Sequence, residues 1–178
     1  MKITRYLFLA FAMTALLSVG AQAQRTKRPV KRTTPVKNTV TLPPLDVRAA
    51  RVKVSNQLAN VTGFVERLGP IAQAIEALDT ESKTKRFNKE SIDKNNAAKQ
   101  KVVTAIRNLR EGMVNLESEF RVKAALKKYL PTIQGISELA GQSETSAIAG
   151  KLVAANAPLR TIQQKLNDTL SAMPNAEL

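Results

Sequence analysis

Apolar residues at Val54, Leu58, Val61, Val65, Leu68, Ala72 and Ile75 recur at alternating steps of four and three. This spacing keeps them on one narrow stripe of an α-helix, and such a stripe has to be covered by other helices. The series reaches back through Val47 and Ala50 and forward to Leu78, so a first helix is expected from Leu45-Asp46, with Asp46 as its N-cap. Gly69-Pro70 interrupts the series without shifting its phase, which predicts a kink rather than a reversal. From Asp79 to Ser91 the chain is polar and without period, and reads as a basic loop.

A second stripe follows Ser91, the expected cap of the second helix. Val102, Ile106, Leu109, Met113, Leu116 and Phe120 again step by four and three. Beyond Phe120 the same count lands on polar residues. The apolar set becomes Val122, Leu126, Tyr129, Ile133, Ile136 and Ala140, a slip of one residue or roughly 100° around a helix. Either the chain turns between Glu117 and Arg121, or one long helix changes the face it buries. A third helix over about 119–139, carrying Pro131 and closed by Gly141 as its C′ residue, accommodates the slip. The last stripe is Ile148, Leu152, Ala155, Leu159, Ile162, Leu166 and Leu170, with Ser143 or Thr145 as cap and Pro158 inside it.

The expected fold is therefore all-α: an up-down four-helix bundle with Pro-kinked helices over residues 46–173. Three long helices are the alternative. In the four-helix version Pro70, Pro131 and Pro158 fall at similar heights, where neighbouring helices could bend together. A short tail from Pro174 is expected to fray.

Two segments precede the bundle. Residues 1–23 have the form of a bacterial-type signal peptide. Lys2 and Arg5 lead an apolar run from Tyr6 to Val19, and Ala21-Gln22-Ala23 offers a small-x-small cleavage pattern before Gln24. The run is short for a membrane span. No Cys follows it, so a lipoprotein is excluded and export to the periplasm or medium is expected. Residues 24–45 form an arm in which Arg25, Lys27, Arg28, Lys31, Arg32 and Lys37 alternate with Pro and Thr and meet no acidic residue. Proline and the lack of apolar period predict an extended or disordered segment. Its six cations are the candidate polyanion-binding residues; a plain solvated spacer is the competing reading.

Composition narrows the chemistry. The chain has 178 residues, 28 Lys and Arg against 14 Asp and Glu, and no His, Cys or Trp. Without Cys there is no disulfide scaffold, thiolate metal site or Cys nucleophile. Without His the commonest general base and metal ligand are missing. No phosphate-binding loop, dinucleotide fingerprint or nucleophile elbow occurs. The expectation is a non-enzymatic protein with no cofactor, no metal and no small-molecule substrate.

The formal charge of +14 favours polyanionic partners: lipid headgroups, polysaccharide or nucleic acid of the cell envelope, or else another protein. Lys99, Lys101, Arg107, Arg110, Arg121, Lys123, Lys127 and Lys128 form basic helical patches. These either extend the arm's surface or are ordinary solvated faces. Two further readings stand beside this one. In composition the chain resembles periplasmic holdase-type chaperones, which would imply an oligomer with an exposed apolar cavity. An amphipathic bundle that opens on lipid is the other. The oligomeric state is left open by the sequence.

Overall fold

The computed structural model describes residues 42–175. The leader and the arm as far as residue 41, with all six candidate arm cations, lie outside the described residues. The described chain is all-α, and no strand occurs among the described residues. The elements are α1 (Leu45–Ser82), α2 (Lys89–Val122), a 3-10 stretch (Ala124–Tyr129), α3 (Leu130–Ile133), α4 (Ile136–Ile148) and α5 (Leu152–Ala172).

Helix α1 starts without a side-chain cap. Pro44 occupies the N-cap position, and its carbonyl accepts from the Val47 and Arg48 amides at 2.9 and 3.1 Å. Asp46 is not the cap. It sits in the first turn, where a negative charge suits the helix dipole, and its Oδ1 accepts from Lys123 Nζ at 2.9 Å. The helix runs on through Pro70 and past Leu78 to Ser82. Residues 79–82 stay helical despite their polarity because Asp79 is anchored sideways to α2, accepting from Asn95 Nδ2 at 2.7 Å and pairing with Lys99. The loop is thus shorter than expected. Asn88, rather than Ser91, caps α2: its Oδ1 accepts from the Ser91 amide at 2.9 Å.

Helix α2 lies antiparallel to α1. Lys53 reaches Glu119 at one end of the pair and Asp79 meets Asn95 at the other. Helix α4 is antiparallel to α2 through Glu117–Ser137 and Arg107–Glu144. Helix α5 is antiparallel to α1 through Arg51–Leu170 and Glu76–Val153. A tight turn joins α4 to α5, where the buried Ser143 Oγ donates to the Ala155 carbonyl at 2.8 Å. The apolar core fills the space these helices enclose.

The stripe of α1 is buried from Val47 to Ile75, with Leu58 half-buried against the core. In α2 the stripe is likewise inside, and Leu109 is half-buried. In α5 Leu152, Ala155, Leu159, Ile162 and Leu166 are fully buried. Leu170 is only half-buried, and Thr169 takes the inward place beside it. Its Oγ1 lies 2.7 Å from the Lys165 carbonyl and 3.0 Å from Thr132 Oγ1, so the hydroxyl is satisfied.

The third run differs most from expectation. Helix α2 continues to Val122, and the turn comes at Lys123, whose backbone is extended at φ −78° and ψ 119°. A 3-10 stretch and one turn of helix follow instead of a continuous helix. Pro131 stands in the first turn of α3, where its missing N–H loses nothing, so it is no mid-helix kink. Val122, expected on the buried stripe, is 76% exposed. Leu126, Tyr129, Ile133, Ile136 and Ala140 are buried as the stripe required.

Gly135 breaks the run with φ +89°, and α4 begins after it. Gly141 does not end a helix; α4 passes through it to Ile148. The C-terminus forms at Gly150, φ +75°, where Lys151 N–H donates to the Ser146 carbonyl at 2.9 Å and Gly150 N–H to Ala147 at 3.0 Å. That pair of bonds is a Schellman closure. Ser143 and Thr145 are inside α4 and cap nothing, α5 starts at Leu152 behind Lys151, and Ile148 ends α4 largely exposed.

The two glycines are separable by experiment. A Cβ at Gly141 would meet nothing closer than Arg110 Nε at 3.9 Å, so Gly141→Ala is expected to stabilise the fold by about 0.5–1 kcal/mol. Gly135→Ala places a Cβ on a left-handed residue and is expected to destabilise by about 1–2 kcal/mol. Urea denaturation of the two variants tests the pair. Equal losses would mean that Gly141 is a helix end after all.

Candidate functional site

Five of the eight helical cations singled out in the sequence are held by carboxylates, four of them by a carboxylate of another helix. Lys99 pairs with Asp79, Arg121 with Glu117, and Lys123 with both Asp46 and Glu119. Arg107 Nε and Arg110 Nη1 each donate to one oxygen of Glu144 at 2.8 Å, a two-armed clamp from α2 onto α4. For Lys99, Arg107, Arg110 and Lys123 the basic patch is inter-helix architecture, and for Arg121 it is a pair within α2. Lys101, Lys127 and Lys128 have no carboxylate partner among the described residues. Lys128 Nζ lies 4.8 Å from the centre of the Tyr129 ring.

Three carboxylates carry the electrostatics. Glu117 is 2% exposed. Its oxygens accept from Gly135 N–H at 3.1 Å, Ser137 N–H at 3.0 Å and Ser137 Oγ at 2.6 Å, with Arg121 alongside. The Gly135 break leaves the first amides of α4 without helical partners, and Glu117 supplies the missing acceptor from α2. Burial alone would push its pKa up. The bonds from Ser137 and Gly135 and the Arg121 charge outweigh it and hold the acid below the ordinary value.

Glu119, two residues on, faces α1 instead. Burial raises its pKa and the Lys123 and Lys53 contacts lower it further, for a net decrease. The bonds from Arg107 and Arg110 lower that of Glu144 against a smaller desolvation effect.

All three shifts have the same sign, so their pH consequence is definite. A depressed folded pKa gives stabilisation that is complete above the unfolded value of 4.5 and is withdrawn as the pH falls through the folded values. Stability measured by urea titration is expected to fall steeply below about pH 4.5, and Glu144→Gln is expected to flatten that fall. An unchanged slope in the variant would remove the clamp from the account.

A cavity of 710 Å³ is an open groove at the loop end, where the end of α1, α2 and the α4–α5 turn meet. Lys83, Lys99, Arg107 and Lys151 line it together with Glu76 and Asp79. Both acids are already engaged, Glu76 Oε1 with the Val153 amide at 2.8 Å and Asp79 with α2. Lys83 and Lys151 are therefore the cations available to an anion there. At the opposite end a smaller groove of 430 Å³ is lined by Pro43, Pro44, Val47, Ala124, Ala125, Lys128, Tyr129 and Pro174. Among the described residues no group of three Asp or Glu side chains converges in the way a metal ion requires. No helix among them is long and apolar enough to cross a membrane.

Compared with known protein families, curated proteins and solved structures, the chain matches none. The functional reading rests on this chain's own chemistry.

Sequence reasoning did not single out Glu117 and Glu144 as structural acids. The signal in the sequence is faint: Glu117 directly follows the seam residue Leu116, and Glu144 follows the buried Ser143.

Proposed function

We propose that this chain is an exported, non-enzymatic interaction protein that binds an anionic surface or polymer of the cell envelope. In this reading a signal peptide is removed after Ala23. An up-down bundle of four helical runs, kinked at Pro70 and Pro158, then carries the cationic arm. The third run is the broken one, from the 3-10 stretch through α4. The arm residues Arg25, Lys27, Arg28, Lys31, Arg32 and Lys37 make the first contact, and unpaired helix cations extend it.

The observation that best supports this is the cation surplus left after internal pairing. Residues 42–175 hold 20 Lys and Arg against 13 Asp and Glu, a net +7. Six of the 13 acids, Asp46, Glu76, Asp79, Glu117, Glu119 and Glu144, are engaged between helices, whereas Lys83, Lys89, Lys101, Lys127, Lys128 and Lys151 have no carboxylate partner among the described residues. A surplus of this kind attracts polyanions through counterion release. The absence of His and Cys from the sequence supports a non-catalytic role. The core is filled by its own side chains, so the holdase alternative has no observation in its favour.

Binding of the processed chain to heparin or duplex DNA across a salt series tests the proposal. Affinity is expected to fall steeply with salt. Deleting residues 24–37 is expected to flatten the logarithmic slope on DNA by about five, near 0.9 for each of six cations. Binding that ignores salt, or none at all, would overturn it.

A further inference from the structure

We infer that the end of the molecule where α1 starts and α2 finishes is a docking face for an anionic lipid bilayer. This deepens the proposed function and rests on it. Lys123 Nζ, bonded to Asp46 Oδ1 at 2.9 Å, ties the two helix ends together. Leu45 immediately precedes Asp46, and Val122 immediately precedes Lys123. These are the two most exposed large apolar residues of the described chain, at 73% and 76%. Leu42, 46% exposed, lies three residues from Leu45. An isolated exposed leucine needs no explanation; the opposite end exposes Ile148 and Val153 at 62% and 46%, and Leu45 and Val122 exceed both.

Charge selects the occupant. Around these residues stand Arg121, Lys123, Lys127 and Lys128, while the local acids Asp46, Glu117 and Glu119 are all held in ion pairs. Lys127 and Lys128 project no bond to a carboxylate among the described residues. The chain outside the structure joins at this same end, since residue 42 is the first described, and it brings six more cations in sequence. Exposed large apolar side chains with Lys127 and Lys128 a few residues further along the chain, and a polybasic segment attached, are the requirements of an interfacial contact. The apolar side chains enter the headgroup boundary while the long cationic stems reach the phosphates. A soluble polyanion would use the cations and leave Leu42, Leu45 and Val122 without a role. No helix among the described residues is long and apolar enough to span a bilayer, so the contact made by this face lies on the surface.

The test uses the processed chain on vesicles of phosphatidylcholine mixed with phosphatidylglycerol, with pure phosphatidylcholine vesicles and soluble heparin as controls. Leu45→Ser combined with Val122→Ser changes only exposed positions. It is expected to weaken binding to the anionic vesicles about tenfold and to leave heparin binding unchanged. Lys127→Glu combined with Lys128→Glu is expected to weaken both. The chain has no Trp. Val122→Trp should therefore report a blue shift on anionic vesicles, and Val153→Trp at the opposite end should not.

Vesicle binding unaffected by the serine pair would overturn the docking face while leaving the polyanion reading intact. Loss of a dimer in the serine pair, with vesicle binding preserved, would assign the patch to a second copy and also overturn it. Failure to bind heparin as well as vesicles would remove the proposed function itself.

Discussion

Glu117→Ala is expected to lower the free energy of unfolding by about 3 kcal/mol, the largest effect of any charged residue in this chain. The reason lies in what the carboxylate leaves behind. Gly135 N–H, Ser137 N–H and Ser137 Oγ–H all donate to it, and the Gly135 break gives them no helical alternative. Each buried donor left without an acceptor costs about 1–3 kcal/mol, reduced wherever water can follow the truncated side chain inward. Arg121 adds little to the loss, because its side chain is 57% exposed and can return to solvent.

Glu117→Gln keeps one acceptor oxygen and is expected to fall between parent and alanine. Glu111→Ala and Glu138→Ala, both at exposed positions, are expected to change stability by no more than about 0.5 kcal/mol. Chemical denaturation of the four variants, with hydrogen exchange at Gly135 and Ser137, checks the argument. A Glu117→Ala protein as stable as the parent would mean that α4 does not need its cap.

That acid was barely legible in the sequence for a physical reason. Its partners lie 18 and 20 residues away, and they need it only because a left-handed glycine exposes a helix N-terminus. Carboxylate spacing along one helix carries no trace of this. The apolar stripe of α1 was legible because a regular helix preserves its period over many turns, even through Pro70. The third run was misread because Leu126, Tyr129, Ile133 and Ile136 keep steps of three, four and three. A 3-10 stretch, one helical turn and a glycine break can all present those residues inward, so the spacing of an unbroken helix survives without the helix.

The helix end was misplaced by the same limit. Gly141 and Gly150 are chemically equal candidates. Only the clamp of Arg107 and Arg110 on Glu144, with Ser143 anchored to Ala155, holds α4 past the first of them.

Phe120→Ala is expected to destabilise by about 3–5 kcal/mol, and Val122→Ala by no more than about 0.5 kcal/mol. The two residues stand at the junction of the second and third apolar stripes, where spacing alone assigned both to the interior. Phe120 is fully buried and is the last inward residue of α2. Removing its ring forfeits the transfer energy and leaves a cavity among side chains held by helices on several sides, which can collapse only in part. Val122 precedes the extended Lys123, where the chain leaves the helix, and the reversal carries its side chain outward.

The contrast therefore tests where the turn lies. If one long helix rolled its buried face past Phe120, Val122 would inherit a core position and its truncation would cost about 1–2 kcal/mol. Urea midpoints for the two variants, with far-ultraviolet circular dichroism to show retained helix, separate these arrangements. Comparable losses at both positions would place the turn elsewhere and take with it the lipid-docking face built on Val122.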